Sequence, residues 1–157
     1  MALQGGHRFT VSMGDVFPHG VYAMGVEQAE DYDDKTGRRS PSKDKQSGEL
    51  VWAVTVIDRD PAAREKQLKV KVAAPYQPVL PGEIMPGTGL HAVDFDGLTI
   101  TPYVNEGRGG RARMAFSIRA AGVHPQGKAP TAPATGRGAG LASSGSASGQ
   151  SSDGKAA

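Results

Sequence analysis

The stretch Leu-Val-Trp-Ala-Val-Thr-Val-Ile-Asp, residues 50–58, decides the fold class of this chain. Most of its residues are β-branched or aromatic, and such residues favour extended strands because their side chains pack well on a pleated surface. Apolar residues fill both sets of alternating positions, which is typical of a central strand covered on both faces. We therefore expect a β-sheet protein built around this strand.

Other segments share the period-two alternation of apolar residues that marks a strand. They are residues 21–27 (or up to 30), 67–73, 92–101 and 114–121. In residues 67–73, for example, Leu and Val alternate with Gln67, Lys69 and Lys71, which predicts one buried and one basic face. In residues 92–101 the alternation changes phase at Asp96 and Gly97. That change requires a bulge or a tight turn.

The connections are rich in turn signals. Residues 34–37 (DKTG) and 44–48 (DKQSG) each begin with Asp-Lys and end in Gly, which is typical of turns. They bracket a polar insert at 38–47. Four prolines make residues 75–90 an extended connection, and only 61–66 could form a helical turn. Five or six strands in about 100 residues predict an all-β fold, and we expect a small OB-like or SH3-like barrel because closure removes exposed edges.

The composition changes near residue 122. Residues 123–157 are mostly Gly, Ala, Ser, Pro and Thr, which bury too little apolar surface to offset the entropy of ordering them. We predict a barrel domain over residues 1–122 and a disordered tail over 123–157. Residues 1–122 contain 15 Lys and Arg and 15 Asp and Glu residues, so the formal net charge of +2 belongs to the tail.

Several function classes are not indicated. The chain has no cysteine, and its histidines lack ligand spacing, so we predict no metal site and no cofactor. The acidic run 31–34 does not continue into an EF-hand loop, and no constellation has reaction-ready spacing, so we do not expect an enzyme. Neither a signal peptide nor an apolar run long enough for a membrane span is visible, which predicts a cytoplasmic protein without a membrane partner.

Basic residues cluster on three separate segments that could line one groove and neutralise phosphates. Tyr103 is one of the few tyrosines able to stack on a base, whereas Trp52 and Phe116 are predicted to lie in the core. The candidate nucleic-acid-binding residues are Arg38, Arg39, Lys43, Lys45, Lys69, Lys71, Tyr103, Arg108, Arg111, Arg113 and Arg119. The alternative is an ordinary solvated charged surface.

Four stretches together carry a family resemblance: residues 16–22 (VFPHGVY), 32–37 (YDDKTG), 51–58 (VWAVTVID) and 95–104 (FDGLTITPYV). In them the chain resembles small proteins of actinomycete integrative conjugative plasmids, the Pra-type activators of plasmid replication, integration and excision. The resemblance covers roughly residues 8–122. It implies a non-enzymatic activator of replication and excision–integration genes, and it supplies no catalytic residues.

Three functions follow from these observations. The first is a regulator of plasmid replication and mobility that acts on DNA, single- or double-stranded, or on a replication or transcription protein. The second is an accessory single-stranded-DNA-binding protein with an OB-like barrel. The third is a pure protein-interaction module, which the neutral net charge of residues 1–122 favours.

Overall fold

A computed structural model describes residues 5–107 and 109–127. In chain order the elements are β1 (Phe9–Thr10), α1 (Met13–Val16), β2 (Val21–Gln28), β3 (Glu30–Asp33), β4 (Arg38–Pro41), β5 (Val51–Asp58), β6 (Gln67–Ala73), β7 (His91–Asp96), β8 (Thr99–Glu106), β9 (Ala112–Ala120) and β10 (Gly122–Pro125). Eight strands form one sheet in the order β1-β8-β9-β6-β5-β2-β7-β10, and β3 and β4 form a separate hairpin. The all-β prediction is confirmed, with more strands in the sheet than the five or six expected.

The stretch that decided the fold class lies near the middle of this sheet. Strand β5 pairs antiparallel with β2 on one side and with β6 on the other. Val54 and Val56 are fully buried in the core. Strand β6 has the predicted bounds, and β2 contains a bulge between Ala23 and Gly25.

The change of phase at Asp96 and Gly97 separates two strands. Gly97 has a φ of 56° and, with the buried Leu98, is the whole link from β7 to β8. These strands are seventh and second in the sheet order, which in a flat sheet would place them about 24 Å apart. Because the backbone from Asp96 to Thr99 spans at most about 11 Å, the sheet curls into a half-barrel.

The core fills the concave side of the curled sheet. One cluster of buried side chains contains Phe17, Val21, Ala23, Val54, Val56, Val70, Val72, Val93, Phe95, Leu98, Ile118 and Ala120. Short α1 leads into Phe17, and the Ser12 hydroxyl and the Asp15 carboxylate form a capping box at the start of this helix. The core therefore takes alternate residues from five strands, which leaves the intervening residues of those strands on the convex side.

Two boundaries differ from the predicted ones. Strand β10 pairs with β7 beyond the predicted domain boundary at residue 122, because its backbone groups continue the sheet without needing apolar side chains. The rest of the predicted tail, residues 128–157, lies outside the described residues. Within residues 61–66 the chain forms a turn, in which the Ala63 N–H donates to the Asp60 carbonyl at 3.1 Å, rather than a helix.

Candidate nucleic-acid interface

The pairing register of three neighbouring strands places five of the candidate residues on one side of the sheet. Lys71 of β6 lies opposite Arg119 of β9. On the other side of β9, Arg113 lies opposite Asn105 and Ala115 lies opposite Tyr103 of β8. Paired residues point to the same face of a sheet, and residues two apart in a strand share that face. The resulting outer face, as we call it, consists of Lys69, Lys71, Tyr103, Arg113 and Arg119.

Strand alternation explains why these side chains point outward. In β6 the intervening residues Val70 and Val72 are fully buried, so Lys69 and Lys71 project from the convex side. Tyr103 is 48% exposed. The predicted basic face of residues 67–73 is therefore confirmed, and the neighbouring strands extend it.

Asp44 organises one end of the outer face. Its side chain is only 6% exposed, and its carboxylate accepts hydrogen bonds from Arg119 at 2.9 Å and from Arg8 at 3.3 Å. The backbone N–H groups of Gln46 and Ser47 donate to the other carboxylate oxygen at 2.8 and 3.1 Å. This carboxylate therefore holds Arg119 in place and offsets its charge.

Opposing effects act on the Asp44 carboxyl. Burial alone would raise its pKa, because a charged carboxylate is poorly solvated in the interior. The backbone N–H groups of Gln46 and Ser47, and then the guanidinium groups of Arg8 and Arg119, stabilise the anion and together lower the pKa below its ordinary value. Asp44 is therefore ionised at neutral pH.

The remaining cations of the outer face differ in their partners. Lys69 forms an ion pair with Glu27 of β2. Neither Lys71 nor Arg113 forms an ion pair with another described residue. These two residues are thus the best placed to contact an anionic ligand.

The other candidate residues lie elsewhere. Arg38 and Arg39 belong to the separate hairpin, where Arg39 lies 3.6 Å from Glu30. Lys43 and Lys45 are exposed beside Asp44, and Arg111 is exposed before β9. Arg108 lies outside the described residues. The register therefore brings Lys69 and Lys71 together with Arg113 and Arg119, while Arg38 and Arg39 sit on a separate element.

A cleft opens between β6 and the paired strands β8 and β9. Strands β6 and β9 pair in parallel only through Val70–Val72 and Ile118–Ala120, and they diverge towards their amino ends. The cleft measures about 490 Å³. Its lining includes Lys69, Lys71, Tyr103, Phe116 and Ser117.

Phe116 corrects a prediction. The alternation of β9 places it on the same face as the core residue Ile118, but it is 54% exposed because β6 does not cover this half of the strand. Trp52 is partly buried opposite Val72 and donates its indole N–H to the Ala74 carbonyl at 3.0 Å. The sequence thus identified the apolar face of β9 but not the point at which the neighbouring strand leaves it.

Residues 5–107 and 109–127 contain no group of three His, Cys, Asp or Glu residues able to hold a metal ion. Across the same residues, no helix is long and apolar enough to cross a membrane. Comparison with protein-family models, with curated proteins and with solved structures finds no match.

Proposed function

We propose that this chain is a non-enzymatic, nucleic-acid-binding regulator that works in the cytoplasm through its outer face. The observation that carries the proposal is the register that aligns Lys69, Lys71, Arg113 and Arg119 with Tyr103 on adjacent strands. Lys and Arg neutralise phosphates, and an exposed tyrosine beside them provides a surface for base stacking. Thr101 and Ser117, opposite each other on the same face, add hydroxyl groups for sugar and phosphate contacts.

The geometry favours unpaired strands over duplex DNA. Stacking on Tyr103 requires an unstacked base, which a single strand offers without the cost of opening a duplex. The cleft beside Tyr103 is also lined by Phe116, a second exposed aromatic ring. We therefore propose that single-stranded DNA is the preferred ligand.

The biological setting of the proposal comes from the resemblance to plasmid activators. A protein that binds single strands exposed during replication or excision would promote both processes in an integrative plasmid without catalysing any step. Replication or transcription proteins remain candidate partners in that role. The closed OB-like or SH3-like barrel is likewise a proposal, supported by a half-barrel in which two residues join β7 to β8.

The test is the salt dependence of DNA binding. We expect the full chain to bind a fluorescent dT20 oligonucleotide more tightly than a 20-base-pair duplex in low salt. Replacing Lys71 and Arg113 with Ala should lower the slope of log K against log salt by about 1 to 1.5, which corresponds to two lost phosphate contacts on a single strand.

The matched control is Lys35→Ala with Arg64→Ala, which removes the same charge from exposed positions off the outer face. We expect its slope to equal that of the wild type. An equal loss in both variants would show that only net charge matters. Failure to bind either DNA in low salt would overturn direct binding.

A further inference from the structure

Strands β8 and β9 continue beyond the rest of the sheet as a two-stranded ribbon. Residues Thr99–Glu106 of β8 pair with residues Ala112–Arg119 of β9. Of β8, only Thr99 and Ile100 pair with β1. Of β9, only Ile118–Ala120 pair with β6. In the described part of the chain, residues 101–106 and 112–117 therefore each have one edge without a neighbouring strand. An edge of this kind is a template for an added strand.

A proline blocks one of these edges. The Val11 N–H donates to the Leu98 carbonyl at 3.0 Å, so Leu98 turns its backbone groups towards β1. The side to which backbone groups point alternates along a strand, so the backbone of Pro102 also faces the edge on the β1 side. Proline has no N–H to donate, and it protects edge strands from pairing. The β8 edge is thus a poor site for strand addition.

The β9 edge has no such block and faces the cleft. By the same alternation, the residues of β9 that turn towards β6 are the even-numbered ones, of which Ile118 and Ala120 already pair with β6. The next ones along the strand are Ala112, Met114 and Phe116. Their N–H and C=O groups point away from β8, towards the side of β9 on which β6 lies, and Phe116 lines the cleft there.

The two sides of the cleft define the side chains that an added strand would need. On the concave side it would lie between Leu68 of β6 and the exposed Met114 and Phe116 of β9. On the convex side the cleft is lined by Lys69 and Lys71 of β6, and Arg113 of β9 lies on the same face of the sheet. The first set is apolar and the second is cationic, so alternation of apolar and acidic residues matches both.

We propose that the β9 edge binds an extended, acidic segment of a partner protein, which adds as a strand between β9 and β6. The segment alternates apolar with acidic residues and covers about six residues, or roughly 20 Å. It covers Met114, which is 73% exposed, and Phe116. The β9 edge of a second copy is a worse occupant because β9 carries Arg113 and Arg119 and no acidic residue that could face the cations of the outer face.

The probe is a fluorescent peptide, acetyl-Glu-Val-Asp-Val-Glu-Val-Asp-amide, titrated into the full chain. We expect saturable binding and slower amide hydrogen exchange at Met114 and Phe116. The Met114→Pro variant should weaken binding about tenfold or more, since it removes an edge N–H that β8 does not use. Met114→Ala keeps the N–H and should remain within about threefold of the wild type.

A second arm keeps the test decisive if Met114→Pro does not fold. The same peptide with N-methylated valines cannot form the strand ladder and should bind wild-type protein at least about tenfold more weakly. The proposal would be overturned if both peptides bind equally or if no peptide binds at millimolar concentration. It would also be overturned if the peptide leaves amide exchange at the β9 edge unchanged, or if a second copy of the chain pairs with β9 instead of the peptide. Because Met114→Pro retains all cations of the outer face, its dT20 binding reports separately on the nucleic-acid proposal.

Discussion

The carboxylate of Asp44 and the guanidinium of Arg119 form a 2.9 Å hydrogen bond between residues 75 positions apart in the chain. Arg8 reaches the same carboxylate oxygen from the opposite end of the sequence. One buried anion therefore fastens the amino-terminal segment and the loop after β4 to strand β9. Removing it would leave two guanidinium groups and two backbone N–H groups without their acceptor.

We expect Asp44→Ala to lower the free energy of unfolding by about 2–4 kcal/mol, because partly buried donors lose a charged acceptor. Urea denaturation at pH 7 measures this change. The control is Asp34→Ala, which removes an exposed carboxylate from the turn between β3 and β4 and should change stability by less than about 0.5 kcal/mol. Equal stability of the two variants would contradict the role assigned to Asp44.

The same carboxylate predicts a pH dependence. Its pKa is lower in the folded protein than the ordinary value of 3.8, so the unfolded chain binds the proton more readily. The stability that ionised Asp44 contributes is complete above about pH 5 and is lost as the pH falls through the folded-state pKa. The stability difference between wild type and Asp44→Asn should therefore be constant above about pH 5 and shrink below it.

Urea denaturation of both proteins from pH 7 to pH 3 makes this comparison. Asp15 and Asp33 also have lowered pKa values, through hydrogen bonds from the Ser12 side chain and the Lys35 backbone N–H respectively. Both carboxyls are present in the two proteins, so their titration cancels in the difference. A difference that stays constant down to pH 3 would rule out Asp44 as its source.

Gly97 is the position where a methyl group should cost most. Its φ of 56° is in the left-handed region, and an added Cβ would lie 2.9 Å from the Cβ of Ala121. We expect Gly97→Ala to destabilise the fold by about 2–4 kcal/mol, from backbone strain together with this contact. Gly82→Ala, where nothing lies within 4 Å of the added Cβ, should be nearly neutral. Thermal unfolding of both variants gives the comparison.

Tyr103 tests base stacking apart from charge. We expect Tyr103→Ala to weaken dT20 binding about tenfold or more, because a stacked aromatic ring contributes roughly 1–3 kcal/mol. Tyr103→Phe retains the ring and should bind nearly as well as the wild type. Tyr76, which is 81% exposed in the connection between β6 and β7, supplies the control. If Tyr76→Ala reduces affinity as much as Tyr103→Ala, stacking on the outer face is not the cause.

Local patterns predicted the strands whose alternate residues fill the core but not β1, β3, β4 or β10. The alternation of residues 67–73 gave both bounds of β6 and its basic face, because period two reports directly on which side chains meet the core. Strand β10 was missed because Gly122 to Pro125 pair through their backbone and contain a single large apolar residue. The capping pattern of Ser12 and Asp15 was available in the sequence and could have revealed α1.

The candidate site depended on information that is not local. Nothing in β6 or β9 alone states that Lys71 will lie opposite Arg119, because a parallel register is fixed by how the whole sheet assembles. The same holds for Phe116, whose exposure depends on where β6 diverges. Asp44 could be recognised as a turn residue, yet its two arginine partners lie 36 and 75 positions away.

The pairing of Phe9 with Ile100 has a consequence for the order of folding. During synthesis, β1 has no partner until the first residues of β8, Thr99 and Ile100, have left the ribosome, and the parallel contact of β6 with β9 must wait still longer. Pairings between such distant parts of a chain slow folding because the intervening segment must first be closed into a loop. The nascent chain therefore exposes the apolar face of β5 and β6 for longer than a meander of the same size would.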